Sequence, residues 1–262
     1  MAINYYSMSE NISKSEVISF YNEHTKFKLN DYIKANPRIN EAWKTLTQNI
    51  AFTPNRILEV GCGIGSICAR MNKKWPNAKI TGVDISTESI ALATKLFAND
   101  KVNFIQSLLA EDLFDEKFDL IIFMDVYEHI AVNDRPTVHK ALNKFLNNKG
   151  RMFLSVPTPH NLKWCLVNKP ETMQPVDEHI SFEVIGKLAQ DTDTEVQLYQ
   201  IKDIWNTGDY THVIFERNND FEAAFFVNKP VSTIQRAKRI YNKAIQKLEE
   251  PFRRLKVKRK LN

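Results

Sequence analysis

The chain has 262 residues, of which 43% are apolar and 26% charged, values that are typical of a globular protein with a sizeable core. Its three cysteines form no C-x-x-C pair, which argues against a disulfide framework and a zinc site, so we expect no metal and a reducing, cytoplasmic compartment. The longest apolar run, residues 120–124, is far shorter than the ~20 residues that span a bilayer, and the first residues lack the pattern of a secretory signal.

The net charge of +5 is unevenly distributed along the chain. Residues 231–262 contain 11 Lys/Arg and 2 Asp/Glu, so this segment carries +9 and the remainder carries −4. The basic character therefore belongs to one segment and says little about the partners of the rest.

Residues 1–50 are predicted to form a helical cap. Ser13 or Ser15 is placed to cap a first helix, and Asn36-Pro37 is placed to open a second one. The aromatic side chains of this segment either pack on the following domain or form walls of a substrate site; they are Tyr5, Tyr6, Tyr21, Phe27 and Tyr32.

Residues 56–71, which read RILEVGCGIGSICARM, indicate a strand, a glycine turn and a helix. The apolar run stops at Gly61, Gly63 and Gly65, and apolar residues then recur at helical spacing. Such a turn lets the backbone approach a nucleotide-like ligand, because a Cβ at these positions would occupy the ligand's space. A dinucleotide fingerprint, G-x-G-x-x-G, needs its third glycine where this chain has Ser66, so the spacing disfavours that cofactor class.

A second informative stretch, residues 118–130, reads FDLIIFMDVYEHI. Its first seven residues are the most hydrophobic of the chain and predict a central strand that is buried on both faces. The strand runs into the string D-V-Y-E-H, which begins at Asp125. Ligands in open α/β sheets bind at the carboxyl ends of the strands, where this string and the glycine turn both fall.

These two stretches together resemble the class I S-adenosylmethionine-dependent methyltransferases. The form E-x-G-x-G-x-G, from Glu59 to Gly65, is similar to their first motif, and D-V-x-E-H-I after the fourth strand is similar to the small-molecule O-methyltransferases of ubiquinone biosynthesis. The resemblance implies S-adenosylmethionine as cofactor. It also implies a Rossmann-like α/β fold in residues 51–230, with a mostly parallel seven-stranded sheet and helices on both faces.

The resemblance also assigns residues to the cofactor. A predicted second strand, residues 78–84, ends at Asp84, about 20 residues past the glycines, where a carboxylate can accept hydrogen bonds from both ribose hydroxyls. Ile85 is then placed against the adenine, and Asp125 helps to form the site for the methionine end. The predicted cofactor-binding residues are Glu59, Gly61, Cys62, Gly63, Gly65, Asp84, Ile85, Ser107, Leu108, Asp125 and Val126.

One position departs from the resembled pattern. After a third strand, here residues 102–106, these enzymes often carry an aspartate that reads the adenine amino group, whereas this chain has Ser107 and Leu108. Leucine cannot accept a hydrogen bond. Adenine recognition therefore falls to Ser107, to backbone groups or, with a shifted alignment, to Glu111 or Asp112.

Three histidines are candidates for removing a proton from the methyl acceptor. His129 follows the fourth strand, His160 follows a predicted fifth strand (residues 151–156), and His179 precedes the next helix. His129 ranks first because its string adjoins the expected methyl donor, and the alternative for each is a structural role. His24, His139 and His212 are predicted to be structural or exposed.

The region after the fourth strand is predicted in less detail. A helix over residues 136–147 ends at the stop signal Lys149-Gly150. The prolines in residues 157–177 break regular structure and indicate an insertion on the substrate side. Residues 195–204, 210–217 and 221–227 have strand character, and two of these segments are expected to form a closing antiparallel hairpin.

Residues 231–262 predict a basic amphipathic helix, since apolar residues recur there every three or four positions. This helix would lie on an anionic membrane surface at the inner face of the membrane, pack on its own domain or on a second copy in a homodimer, or contact nucleic acid.

The acceptor is expected to be a small molecule, a sugar or a lipid-linked compound that is methylated on oxygen. One alternative is a nucleic-acid methyltransferase that uses the basic tail, although the chain lacks the N/D-P-P-Y-type string of enzymes that methylate a flipped base. Another alternative is a non-catalytic protein that retains the cofactor fold as a scaffold.

Overall fold

The computed structural model describes residues 12–34 and 36–218, all of which lie in the first of two units of the chain, residues 1–219. The predicted strand 221–227, the predicted basic helix 231–262 and the cap residues Tyr5 and Tyr6 lie outside the described residues.

A seven-stranded sheet with the order β3-β2-β1-β4-β5-β7-β6 forms the centre of this unit. The strands are Arg56–Val60 (β1), Lys79–Asp84 (β2), Val102–Gln106 (β3), Phe118–Met124 (β4), Leu146–Pro157 (β5), Glu195–Lys202 (β6) and Tyr210–Glu216 (β7). Strands β1 to β5 pair in parallel, and β7 runs antiparallel to β5 and β6. The predicted Rossmann-like, mostly parallel sheet is confirmed. Its strand order reverses between β1 and β4, which is where such sheets bind ligands.

Helices cover both faces of the sheet. In the described residues they are Lys14–Glu23 (α1), Thr25–Lys34 (α2), Pro37–Asn49 (α3), Ser66–Lys74 (α4), Thr87–Phe97 (α5), Arg135–Phe145 (α6), Pro159–Asn168 (α7) and Phe182–Asp191 (α8). Ser13 caps α1 by accepting a hydrogen bond from the backbone of Glu16, and Ser86 caps α5 through the backbone of Ser89. Short 3-10 turns occupy Tyr127–His129, Val132–Asp134 and Pro170–Thr172.

The central strand β4 divides the core into two layers. Ile121 and Phe123 pack with α6 and α8 on one face, while Leu120 and Ile122 pack with α3 and α4 on the other. All four side chains are at most 2% exposed. This alternation is the reason that the strand reads as one continuous apolar run.

Three local predictions were wrong or incomplete. Residues 25–34 form an additional helix, α2, in the cap. Helix α6 ends at Phe145, and β5 begins at Leu146 rather than at residue 151, because Leu146 is fully buried and pairs with Phe118. Residues 159–168, expected to lack regular structure, form α7, with Thr158 as the N-cap and Pro159 in the first turn, where proline is tolerated.

None of the helices within the described ranges has the length and apolar content that a bilayer crossing requires.

Candidate functional site

The glycine turn after β1 is one wall of the candidate site. Gly61, Gly63 and Gly65 have φ values of 69°, 52° and 78°, a region that glycine enters without steric cost. A Cβ on Gly61 would stand 2.3 Å from Val126 Cγ2, and one on Gly65 would stand 2.5 Å from Phe104. These two positions therefore require glycine for packing within the protein, whereas a Cβ on Gly63 would meet the side chain of Lys28 from the cap, at 3.2 Å.

Asp84 at the end of β2 is joined to this turn. Its Oδ2 accepts a hydrogen bond from the backbone N–H of Gly63 at 2.7 Å, and its Oδ1 accepts one from Ser86 at 2.9 Å. The side chain is 5% exposed. A carboxylate offers about four acceptor positions, so each oxygen retains capacity for one further donor, as two neighbouring ribose hydroxyls would need.

The residues expected near the adenine lie beside Asp84. The backbone N–H of Ser107 donates to the carbonyl of Asp84 at 3.0 Å, and the hydroxyl of Ser107 donates to the carbonyl of Leu108 at 2.8 Å. The Leu108 side chain is 48% exposed, and the carbonyl of Ile85 accepts a hydrogen bond from the Gln106 amide. The structure thus brings Ile85, Ser107 and Leu108 to one edge of the site.

Glu59 and Cys62 lie below the turn. Glu59 is buried and accepts a hydrogen bond from the Cys68 thiol at 2.9 Å, and burial raises the pKa of its carboxyl to about 8. The backbone N–H of Cys62 donates to Val83 in the neighbouring strand. Both side chains are buried beneath the turn, and the Glu59 carboxyl joins β1 to helix α4.

Asp125 terminates β4 and faces a residue of the cap that the sequence analysis did not single out. Its φ of 57° is unusual for a residue other than glycine. Asp125 Oδ2 lies 2.6 Å from Arg38 Nε, and Arg38 also donates to the hydroxyl of Tyr210 at 3.3 Å. Burial raises the pKa of Asp125, and the Arg38 cation opposes this shift.

The carboxylate of Asp125 is incompletely satisfied by the protein. Among the described residues neither of its oxygens has a well-aligned hydrogen bond, and Arg38 Nε is in the same state. A buried carboxylate and a partly buried guanidinium, each with unused hydrogen-bonding capacity, suit a ligand that carries both an ammonium and a carboxylate, as the methionine end of S-adenosylmethionine does. The residues present fit that cofactor.

His129 lies in the 3-10 turn after Asp125, with its side chain 11% exposed. Its Nδ1 lies 2.7 Å from the carbonyl oxygen of Val176 and 3.1 Å from Asp177 Oδ1. Its Nε2 lies 3.8 Å from Glu128 Oε1. Burial alone would lower the pKa of His129, but Glu128 and the hydrogen bond to Asp177 raise it to about 8.

Glu128 is buried beside this imidazole. Burial raises the pKa of its carboxyl to about 8, and its Oε2 has no hydrogen-bond partner among the described residues. Glu128 and His129 therefore titrate as a pair, so that a pKa observed there belongs to both groups.

The other two candidate histidines have different surroundings. His160 is exposed in the first turn of α7. His179 is half-buried, and burial together with Lys163 lowers its pKa. His129 contacts Glu128 in the turn after β4 and also Val176 and Asp177 in the segment before α8.

Helices α1 and α2 contact the end of β2 around Asp84. Lys28 Nζ lies 3.8 Å from Asp84 Oδ2, and the Asn22 side chain accepts a hydrogen bond from the Ser86 hydroxyl at 2.8 Å. Tyr21 is largely buried and donates to Gln174 Oε1 at 2.9 Å. No sequence motif marked Lys28 or Arg38, because both stand in ordinary amphipathic helices.

Within residues 12–34 and 36–218, no group of three His, Cys, Asp or Glu side chains is arranged to hold a metal ion.

Comparison with known proteins finds a family model that matches residues 33–195 of the chain. This model is described as a methyltransferase domain. Residues of the chain are also 36% identical over 99 residues to a malonyl-[acyl-carrier protein] O-methyltransferase of Priestia megaterium, covering 38% of this chain and 35% of that protein. A ubiquinone biosynthesis O-methyltransferase of Bartonella quintana is 38% identical over 104 residues, covering 38% and 40%. The matches span less than half the length of these relatives.

Solved structures share the fold. Magnesium protoporphyrin IX methyltransferase from Synechocystis PCC 6803, with bound SAH, aligns with a TM-score of 0.58 at 17% identity, covering 79% of this chain and all of that chain. The N-methyltransferase NodS of Bradyrhizobium japonicum WM9 aligns with a TM-score of 0.55 at 16% identity, covering 70% and 98%.

Proposed function

The chain belongs to the methyltransferase domain family, as a class I S-adenosylmethionine-dependent member, and we propose that it methylates an oxygen of a small-molecule, sugar or lipid-linked acceptor, with His129 as the general base. The observation that carries this proposal is the placement of the His129 imidazole in the turn after Asp125, with Nδ1 held by Val176 and Asp177. The opposite nitrogen, Nε2, is then the one that can take a proton.

The cofactor supplies an activated methyl group on a sulfonium, so the chain's own residues are left with binding, orientation and proton removal. We assign the ribose to Asp84, the adenine edge to Ile85, Ser107 and Leu108, and the methionine end to Asp125 together with Arg38. Gly63 keeps the backbone free of a side chain along this path. Gly61 and Gly65 let the turn pack against Val126 and Phe104, and Glu59 and Cys62 support the turn from the core.

An oxygen acceptor explains why a base is present. A hydroxyl is a weak nucleophile until its proton moves away, and a positioned imidazole contributes about 10²–10⁴-fold to such a transfer. In this assignment His129 Nε2 receives the proton, and the resulting imidazolium is stabilised by Glu128 and Asp177. The O-methyltransferases among the relatives support the same chemistry, although each is matched over less than half its length.

The acceptor is identified by transfer of labelled methyl groups from S-adenosylmethionine into a cell extract. We expect one fraction to gain label with the wild-type protein and to gain far less with His129→Ala. Mild alkali then separates methyl esters from ethers and N-methyl products, because only the esters release methanol. A labelled product that carries the methyl group on nitrogen would contradict the oxygen assignment.

We also propose how the chain is divided into segments. We assign residues 1–50 as a cap, residues 51–230 as the methyltransferase domain with a substrate-side insertion at 157–177, and residues 231–262 as a separate basic helix. This predicted helix lies outside the described residues, so the three alternatives from the sequence analysis all stay open. It binds an anionic membrane surface, packs within the protein or in a homodimer, or contacts nucleic acid.

A further inference from the structure

We propose that Asp177 is the positioning residue for His129, fixing the imidazole so that Nε2 faces the acceptor and stabilising its protonated form. This inference rests on the proposed role of His129 as base. It adds a residue to the site from the segment that precedes α8, on the substrate side of the sheet.

The contact is direct and protected from solvent. Asp177 Oδ1 lies 3.1 Å from His129 Nδ1, and the two side chains are 9% and 11% exposed. The carbonyl of Val176 accepts from the same nitrogen at 2.7 Å. With two acceptors on Nδ1 the proton of the neutral ring is held there, so the lone pair is on Nε2.

The segment that carries Asp177 is itself held at several points. Asp177 Oδ2 accepts a hydrogen bond from the backbone N–H of Gln174 at 2.6 Å, and the backbone N–H of Glu178 donates to the carbonyl of Glu128 at 2.8 Å. Gln174 Oε1 in turn accepts from the hydroxyl of Tyr21 in α1. The carboxylate therefore has a defined position relative to both the 3-10 turn and the cap.

The charge of Asp177 distinguishes its role from that of the Val176 carbonyl. Either acceptor can orient the ring, but only the carboxylate supplies a full negative charge when the imidazole becomes a cation. Other ionisable groups that face His129 are Glu128 in its own turn, Asp125 at the end of β4 and Tyr21 in α1, and Arg38 of α3 pairs with Asp125. Among Asp125, Glu128 and Asp177, Asp177 is the acid at hydrogen-bonding distance from the ring.

The test compares Asp177→Asn with Asp177→Glu, and uses Asp100→Asn, at an exposed turn before β3, as the matched control. The pKa of His129 is measured by NMR on histidine-labelled protein, with His129→Ala to assign its signal. We expect Asp177→Asn to move this pKa from about 8 toward the ordinary 6.5. At pH 9, where the ring is neutral in both proteins, we expect the variant to lower kcat about 10- to 100-fold, with little change in cofactor Kd. Asp177→Glu restores part of both, and Asp100→Asn changes neither.

Two results separate failure of this inference from failure of the proposed function. If His129→Ala is nearly inactive while Asp177→Asn keeps the wild-type kcat and His129 pKa, the positioning role is wrong and the base assignment stands. If His129→Ala keeps full activity, the base assignment fails, and the positioning role fails with it. Thermal melting of each variant checks that the fold is retained.

Discussion

Arg38 Nε lies 2.6 Å from Asp125 Oδ2, at the point where the N-terminal cap meets the carboxyl end of the central strand. The two side chains are 28% and 7% exposed, so the carboxylate is the more deeply buried partner. Removing one member of a buried pair leaves an uncompensated charge, which costs far more than the pair contributes as a whole.

Arg38→Met is therefore expected to destabilise the protein by about 3–5 kcal/mol, measured by urea unfolding. The double variant Arg38→Met/Asp125→Asn should recover most of that loss, because no unpaired charge remains. If Arg38 and Asp125 both bind the methionine end, the single and the double variant should both bind the cofactor more weakly than the wild type. Arg70→Met, which removes a partly buried arginine that donates to Asn40 at the surface, is the control. Normal cofactor affinity in the double variant would contradict the assignment.

The glycine turn and Asp84 are tested by calorimetric titration with the demethylated cofactor. Gly63→Val should abolish binding, because valine strongly disfavours a φ of 52° and its side chain enters the site. Gly186→Val, at an exposed glycine of α8 whose Cβ would have no neighbour within 4 Å, should bind normally.

Asp84→Asn should weaken cofactor binding by about 1.5–3 kcal/mol, the range for hydrogen bonds to a charged group. Asparagine keeps the shape of the side chain and one of its acceptor oxygens, so the loss reports the charge and the second oxygen. An affinity that is unchanged in both Asp84→Asn and Gly63→Val would rule out this end of the site.

The three candidate histidines are distinguished by single alanine variants. His129→Ala should lower kcat about 10²–10⁴-fold while the cofactor Kd stays within about twofold. His160→Ala and His179→Ala serve as matched comparisons and should retain most activity. Were His179→Ala or His160→Ala the inactive variant instead, the base would lie in the insertion or before α8.

The pH dependence of the rate follows from the raised pKa of His129. A base must be neutral to accept a proton, so kcat/KM should rise by about tenfold per pH unit below pH 8 and level off above it. Because Glu128 titrates in the same range, the midpoint belongs to the pair. A rate that is flat between pH 6 and 9 would show that no histidine deprotonation controls it.

The same shift predicts a pH effect on stability with a definite sign. The folded-state pKa of His129, about 8, lies above the unfolded value of about 6.5, so the folded state holds the proton more tightly. Its stabilising contribution is fully present below pH 6.5 and is lost as the pH rises through 8. Glu59 and Glu128, whose folded-state pKa values are also raised to about 8, destabilise the fold as the pH rises over the same range. Thermal melting between pH 6 and 9 should therefore show a loss in the wild type that His129→Ala reduces only by the share of His129.

The basic segment 231–262 is tested by co-sedimentation with vesicles that contain anionic lipid. If it lies on a membrane surface, the full-length protein should bind at low salt and a chain that ends at Pro230 should not, since each Lys or Arg near such a surface contributes about 1 kcal/mol. Absence of binding by both forms would leave packing or nucleic acid as its role.

The sequence by itself determined the family and the fold, and it predicts where along the chain the site lies. Gly61, Gly63 and Gly65 are informative in sequence because the turn needs a positive φ at each, and this local requirement favours glycine whatever the rest of the chain does. The apolar run of β4 likewise predicts a central strand, because a strand between two layers must be hydrophobic on both faces.

Only the tertiary structure decided which side chains meet. Arg38 is near Asp125, Lys28 near Asp84 and Asp177 near His129, in each case with a partner 48 or more positions away along the chain. In sequence these residues are ordinary charges, because an ion pair leaves no periodicity or spacing in either partner. Their pairing depends on how the cap and the segment before α8 pack over the strand ends, and that packing follows from contacts summed over the whole core.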